Sequence, residues 1–591
     1  MERDLAQRDG LAVTVRLPMP PEARDVRRLV RPGALLATAA LCGVSILDPD
    51  LPWHLSAARR LLETGAFPRE DFLSWTMGGK PWVNFEWGSE LVFYGLVRLG
   101  GTPLLWLFRS AALFVVVGLF VGLLRLWKIP DRWGVLAAPV LTAALVPLFG
   151  LRPEMFSLIF FMLELHLLER RRLGAPGPGA GLFLALHLGL YAAWANLHAG
   201  FAAGLMLCLC YGAGELLSRR ERRVPLPLLA CAAGFLGTFA TPYGGRLYVV
   251  LLDHWRHLEA LRNLIEEWKA PSLLLRYLTG YWLLIAFSFA GLLLALRRGS
   301  VPPAEHAAAL VAFVFFGAGS IRTTKYLLLL LFPMGLAAWT GLVESPARRR
   351  ALGLAAALAV PFIAWRGFTW PGNLGVFGWP APMEAQGPSR AIAFLRAEKS
   401  VLSRLRLYNP YNWGGCLGYA LFPDYKVFID GRYIFVDLLA EVDRAQRSPD
   451  VFRAFIDACG VGVAIQKNDG LMLRDAEDPS TSSGRPYAVY GWPRSAWALV
   501  YWDSEALVYV RRSAAPAEWL AAREFRWLRP HDLRRLGLYV VAGAAPLESV
   551  EAEVERYRRE IGDPRESEVL SAWLAEFEKG LPARSARGAR L

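Results

Sequence analysis

Residues 48–90 read DPDLPWHLSAARRLLETGAFPREDFLSWTMGGKPWVNFEWGSE, directly after an apolar run over residues 33–47. Pro49 stops a helix arriving from that run, and Asp50 suits the cap of a new helix through Glu63. Asp50 at the cap and His54 just inside it then lie close together. Carboxylates and an imidazole at the end of an apolar helix mark either a site or a capped helix at the water boundary. Over 51–63, Leu51, Leu55, Ala58 and Leu62 share one face, opposite Arg59, Arg60 and Glu63. That pattern predicts a helix lying along a membrane surface. Turns at 68–71 and 78–81 lead to a second helix expected over 82–99, with Glu86 and Glu90 on one stripe. The two glutamates can bind a cation, a sugar or nothing, and the Trp residues around them suit sugar rings or an interfacial belt equally.

Composition sets the class. The 591 residues are 54% hydrophobic and include 22 Trp, and the mean hydropathy of +0.30 is too high for an ordinary soluble enzyme. Apolar stretches fall at roughly 33–48, 103–124, 133–150, 153–169, 181–197, 199–217, 226–242, 278–296, 304–320, 325–343 and 351–366. They predict a polytopic α-helical membrane protein of about eleven spans. The net charge of +14 does not point to nucleic acid, because the basic residues cluster beside apolar runs and no nucleic-acid-binding signature accompanies them.

Those clusters assign the sides. Arg24, Arg27, Arg28 and Arg31 precede the first span, and Arg125–Arg132, Arg170–Arg172, Arg219–Arg223, Arg297–Arg298 and Arg348–Arg350 occupy alternate connections. By the positive-inside rule this face is cytoplasmic, with the N-terminus inside and the C-terminal region outside. Carboxylates at its span ends, including Glu164 and Glu169, read as a solvated boundary beside the arginines. The opposite face collects Asp48, Asp50, His54, Glu86, Glu90, Arg152, Glu154, His198, Arg246, Arg322 and Lys325. Arg109 falls about six residues inside the second span, about 9 Å below that face, where a charge must snorkel, pair or line a polar cavity. Glu266, Glu267, Trp268 and Lys269 read either as acceptor contacts or as a solvated loop helix.

One long outer loop directly after the first span, opening on an acidic pair and continuing as amphipathic helices, resembles the C-type membrane glycosyltransferases. The 48–90 stretch with LRPEMFSLIF, WANLHAGF, TPYGGRLY and NPYNWGGCLGYAL…KVFIDGR, in that order, is similar to a family of uncharacterised bacterial glycosyltransferase-like membrane proteins. The resemblance covers most of residues 45–465. It implies a sugar donor carried on a polyprenyl phosphate and transferred outside the cytoplasm to a glycan, lipid or protein, at the inner membrane of a bacterium. The loop-one acid of the family falls on Asp48 or Asp50, with Asp50 favoured because His54 and the helix would orient it.

Such a reaction needs a carboxylate to take the acceptor proton and cations to stabilise the departing phosphate. Asp50 is the candidate base, with Asp48 beside it and His54 as orienter or alternative base. Arg109, Arg152, Arg246, Arg322 and Lys325 are the available cations, and Glu86, Glu90 and His198 are further candidate substrate contacts. Asp48 and Asp50 with Glu86 or Glu90 offer hard oxygen ligands for Mg²⁺ or Mn²⁺, without a strong metal spacing. Two other classes fit the architecture: a non-catalytic component of surface-polysaccharide assembly, and a lipid-linked glycan transporter, which would place its sites near mid-membrane.

The remaining boundaries follow from composition. A basic arm spans 1–32, the membrane domain 33–366 with its first outer loop at 49–102, and a Gly/Pro-rich linker 367–388. Alternating helical and strand-like pieces over 389–512 predict an extracytoplasmic α/β domain, followed by a helical region at 513–583 and a disordered tail at 584–591. The Asp430-Gly431-Arg432 turn is expected to be a salt-bridged structural turn. Cys416 and Cys459, both in this domain, are open to oxidative pairing.

Overall fold

A computed structural model of the chain describes residues 21–44, 48–218, 224–343, 345–368, 387–473 and 484–580. The arm before residue 21, nearly all of the linker and the tail beyond 580 lie outside the described residues. Residues 21–32, expected in the arm, are instead the first part of a helix, α1 (Pro21–Cys42), that runs on into the apolar stretch.

Helices occupy each of the predicted apolar stretches. After α1 and α2 (Leu51–Thr64) come α3 (Trp87–Leu126), α4 (Asp131–Leu145), α5 (Glu154–Arg172), α6 (Ala180–Ala195), α7 (Phe201–Ser218) and α8 (Leu226–Gly237). The 243–277 connection carries α9 (Arg246–Arg256) and α10 (Leu258–Leu264), and α11 (Thr279–Arg297), α12 (Ala304–Gly319), α13 (Thr324–Leu342) and α14 (Pro346–Phe368) follow. Among the described residues, five helical segments are long and apolar enough to cross a membrane unaided: 87–126, 131–148, 201–218, 276–297 and 321–342. Hence the chain is a multi-pass membrane protein. Where helices pair, small residues let backbones meet: a methyl at Gly335 of α13 would fall 2.5 Å from Ser288 of α11, and one at Gly237 of α8 2.3 Å from the Leu188 carbonyl of α6.

The expected helix at 82–99 begins later than the pattern suggests. Residues 82–85 are not helical, the Val83 N–H donates to the Tyr433 hydroxyl at 3.0 Å, and the helix starts at Trp87 behind Glu86. It then continues into the second span through a break at Gly100-Gly101, where Gly101 takes a φ of 66°. Glu86 therefore stands at a helix cap, not on a helical stripe with Glu90.

Two buried charge networks hold the bundle ends. Arg109 is 1% exposed and donates to the carbonyls of Cys42 (3.0 Å), Val44 (2.7 Å) and Phe149 (2.7 Å). It satisfies chain ends leaving α1 and the α4 region, groups that have no helical partner of their own. Arg109, a candidate substrate contact from sequence, is therefore spent on backbone carbonyls and is not among the residues of the outer-face cavity described below. Arg109→Met should lower stability by about 3 kcal/mol, because several buried carbonyls lose their donor. Thermal unfolding in detergent measures it, and an unchanged midpoint would contradict this structural role. At the far end Glu169, fully buried and not solvated, accepts from Trp127 (2.6 Å) and Tyr211 (2.5 Å) and pairs with Arg172 and His306 (2.7 Å each).

Beyond α14 the chain forms a mixed four-stranded sheet. Strand β1 (Leu407–Tyr408) runs parallel to β2 (Val463–Lys467). A short ladder joins β3 (Met472–Leu473) to β4 (Arg485–Pro486), and β5 (Trp497–Trp502) and β6 (Ala506–Arg511) complete the main sheet in the order β1-β2-β6-β5. Val463, Ile465, Val508 and Val510 face a cluster shared with Trp53, Leu73 and Trp82 of the first loop. Ala464, Leu499 and Tyr509 face Val550, Val554 and Tyr557 of the C-terminal helices. Burial on both faces explains why these strands read as continuous apolar runs. Cys416 and Cys459 are both free thiols, so the pairing open to them from sequence is not formed.

Candidate functional site

The first outer loop lies between the helical bundle and the sheet domain. Its 73–76 segment pairs with Val427: the Trp75 N–H donates to the Val427 carbonyl at 3.0 Å, and the Val427 N–H donates to Leu73 at 3.1 Å. Arg432 bridges Asp430 and Asp71, each at 2.7 Å, with all three buried. The Asp430-Gly431-Arg432 turn is thus the salt bridge expected from sequence, and it is more than that. A methyl at Gly431 would sit 1.9 Å from Asp50 Oδ1, so the missing side chain is what lets the turn close over Asp50.

Between these layers is a cavity of about 380 Å³, lined by Asp50, His54, Glu86, Arg152, His198 and Arg322 together with Glu154, Glu267, Tyr411 and Arg432. That size suits a small organic group such as a sugar. Its residues come from the α1–α2 junction, the approach to α3, the α4–α5 and α6–α7 links, the 243–277 connection, the α12–α13 link and the sheet domain. These links all lie at the bundle end opposite the Arg-rich connections.

Arg152 is the hub. Its Nε donates to Asp48 Oδ2, its Nη2 lies 3.0 Å from Asp50 Oδ2, and its Nη1 lies 2.5 Å from Glu267 Oε2. Arg322 approaches the other oxygen of Glu267 at 3.6 Å. Burial opposes the Arg152 charge, yet Asp48, Glu267 and Asp50 together hold its pKa well above the ordinary value. Glu267 is driven down to about 2, since Arg152, Arg322 and Lys325 outweigh the opposing effect of burial. Asp50 moves the other way, up to about 7: burial dominates, Asp48 and Glu267 add repulsion, and Arg152 only partly offsets them. The Asp48 side chain is 4% exposed and that of Asp50 22%, so Asp50 is the acid an incoming molecule can reach.

His54 does not orient Asp50. Its Nδ1 lies 3.1 Å from Glu90 Oε1, and the second Glu90 oxygen accepts from Asn84 at 2.5 Å. Burial, reinforced by Arg152, His198 and Arg322, lowers the His54 pKa well below the usual imidazole range, leaving a neutral ring. The ring of His198 is fixed too. The Gly200 N–H donates to Nδ1 at 3.0 Å, so the proton sits on Nε2, 3.7 Å from Glu86 Oε1. Glu86 is pushed up to about 8, chiefly by burial, and at neutral pH it presents an O–H as well as acceptor lone pairs.

Of the residues expected from sequence, Asp50, His54, Glu86, Arg152, His198 and Arg322 share the cavity. Asp48, Glu90 and Lys325 stand one layer behind it, with Lys325 Nζ 2.5 Å from Glu154 Oε2. Arg109 and the exposed Arg246 lie elsewhere. Glu267, which the sequence reads either as an acceptor contact or as solvated loop, is the main cavity residue missing from the expected set. A count of charges could have found it, because Arg152 and Arg322 converge on this face and both need a counter-charge. As for Mg²⁺ or Mn²⁺, Asp48 Oδ2 and Asp50 Oδ2 are engaged by the Arg152 guanidinium and Asp48 Oδ1 accepts from the Asp50 N–H, so three of the four aspartate oxygens that would hold it are taken. The donor set in this geometry does not fit a resident divalent ion.

No family profile and no curated protein matches the sequence. Solved structures do match. Archaeal oligosaccharyltransferase AglB from Archaeoglobus fulgidus, in complex with an inhibitory peptide and a dolichol-phosphate, aligns over 87% of this chain and 78% of its own, with 10% identity and a TM-score of 0.52. ArnT from Cupriavidus metallidurans, bound to undecaprenyl phosphate, aligns over 84% of this chain and 99% of its own, with 15% identity and a TM-score of 0.42. At such identities the likeness is one of fold, and it rests on the first of these matches. The chain has the C-type membrane glycosyltransferase fold.

Proposed function

We propose that this chain transfers a sugar from a polyprenyl-phosphate donor to an extracytoplasmic glycan, lipid or protein, with Asp50 as the base. The observation that carries the reading is one reachable carboxylate, 3.0 Å from Arg152 and pushed up to about 7 by burial, in the same cavity as Arg152 and Arg322. The fold shared with a protein whose structure holds a dolichol-phosphate supports the donor class. The alternating arginine clusters support a plasma-membrane orientation with the N-terminus cytoplasmic and the cavity outward.

In this reaction the acceptor hydroxyl gives its proton to Asp50 as its oxygen bonds to the anomeric carbon. The bond from that carbon to the phosphate oxygen breaks, and the polyprenyl phosphate leaves with the electron pair. Arg322, whose one salt bridge among the described residues is to Glu267 at 3.6 Å, and Arg152 stabilise the departing anion. Protonated Glu86 and His198 Nε2–H offer donors to sugar oxygens. A single displacement inverts the anomeric centre.

Two linked measurements test the reading. Deleting the gene in the native host should cause polyprenyl-phosphate sugar to accumulate, and the purified chain with that lipid should release free polyprenyl phosphate. A deletion that leaves lipid-linked sugars unchanged would sink the transferase reading and favour an assembly role. In vitro, kcat/KM should rise as pH increases through about 7, because Asp50 must lose its proton before it can accept another. Below that point the rate should fall about tenfold per pH unit. A rate flat between pH 5 and 8 would remove Asp50 as the base.

A further inference from the structure

Far from the cavity, three side chains of different chemistry converge between α5, α6 and α7. Glu164, His187 and Cys208 are fully buried, and their donor atoms lie within 4.8 Å of one another. No other group of three such residues does so among the described residues. None of the three lines the cavity. From sequence, Glu164 reads as part of a solvated boundary, a description that its complete burial does not fit.

The hydrogen bonds fix the histidine. His187 Nδ1 lies 2.7 Å from the Phe183 carbonyl, which can only accept, so Nδ1 carries a proton. In the neutral ring Nε2 is then a bare lone pair. It faces Glu164 Oε1 at 3.3 Å, and it has no hydrogen-bond partner among the described residues; nor has Glu164 Oε2. Two electron-rich atoms face each other in an apolar interior, which is unfavourable unless a positive charge lies between them. A proton on Nε2 would satisfy that pair but leave Glu164 Oε2 unpartnered. A metal ion engages both carboxylate oxygens, the Nε2 lone pair and the Cys208 sulfur together. The Nδ1–H bond to a backbone carbonyl is also the outer contact that orients ligating histidines.

The geometry points to a structural transition-metal site on Glu164, His187 and Cys208, with Zn²⁺ as the fitting class. One thiolate, one imidazole and one carboxylate suit a borderline-soft ion, and not Mg²⁺ or Ca²⁺. Cys208 Sγ lies 2.6 Å from Glu164 Oε1. Tetrahedral zinc spaces such ligands roughly 3.5 Å apart, so loading moves the sulfur outward by about 1 Å. The site staples three neighbouring helices and does not depend on the proposed sugar transfer.

The test uses the full chain purified in detergent, without an affinity tag, from cells grown with added zinc or cobalt. Elemental analysis should give about one metal per chain, and the cobalt form should show a thiolate-to-cobalt charge-transfer band. Cys208→Ala and His187→Gln should each lower bound metal at least tenfold while eluting as the same species. Wild-type protein with no bound zinc and no such band would overturn the site, whether or not the variants fold. So would a Cys208→Ala protein that holds as much metal as wild type.

Discussion

Asp50→Asn should lower sugar transfer by about 10³-fold while leaving the protein folded and in the membrane. The amide keeps the volume of the carboxylate but cannot take a proton at neutral pH. The fold does not depend on the charge. Asp50 makes no side-chain cap to α2, and Arg152 keeps Asp48 and Glu267. The rate against pH separates the base from a mere contact: the wild-type rise through about 7 should vanish in the variant, with only slow background transfer left. Asp48→Asn is the informative comparison. Asp48 is nearly inaccessible and acts through Arg152, so its variant should be slower yet keep the rise with pH. Wild-type transfer by Asp50→Asn would exclude it as the base and turn attention to Glu86, the other cavity carboxyl raised toward neutrality.

The sequence carries the site only partly, for identifiable reasons. Apolar runs and arginine clusters are long-range averages over many residues, so the helices fall where hydropathy puts them. The acids and bases at one bundle end are legible because the same alternation that places the arginines on one face leaves Asp50, His54, Arg152, His198 and Arg322 on the other. Their pairing is not legible. Asp50 and His54 are neighbours along α2, yet one meets Arg152, 102 residues on, and the other Glu90, because partners are set by how α3 and α5 pack. Helix periodicity misplaces the start of α3: Trp82–Phe85 have helix-compatible side chains, but Val83 is held by Tyr433 from a domain 350 residues away. Gly431 is similar, since its role against Asp50 depends on a turn closing across the cavity.

Arg152→Gln should be the most damaging single change, because it strikes the fold and the site together. One guanidinium engages Asp48, Asp50 and Glu267, which come from the α1–α2 junction and from the 243–277 connection. Glutamine leaves Asp48 and Asp50 without their counter-charge and Glu267 with Arg322 alone. Removing one partner of a buried pair costs about 3–5 kcal/mol, and here the loss falls mainly on Asp48 and Asp50, which protonation relieves. The variant should unfold at markedly lower temperature in detergent, more so at pH 8 than at pH 5, since protonation neutralises the orphaned acids. Transfer should fall by at least about 10³-fold even where the protein stays folded. Arg152→Lys separates the two effects. A single ammonium supplies the charge but cannot serve three carboxylates in the fork geometry of arginine. It should restore much of the stability at pH 8 and little of the transfer. Equal recovery of both would mean that Arg152 contributes only charge, and that the three-way geometry has no part in holding Asp50 ready for the acceptor.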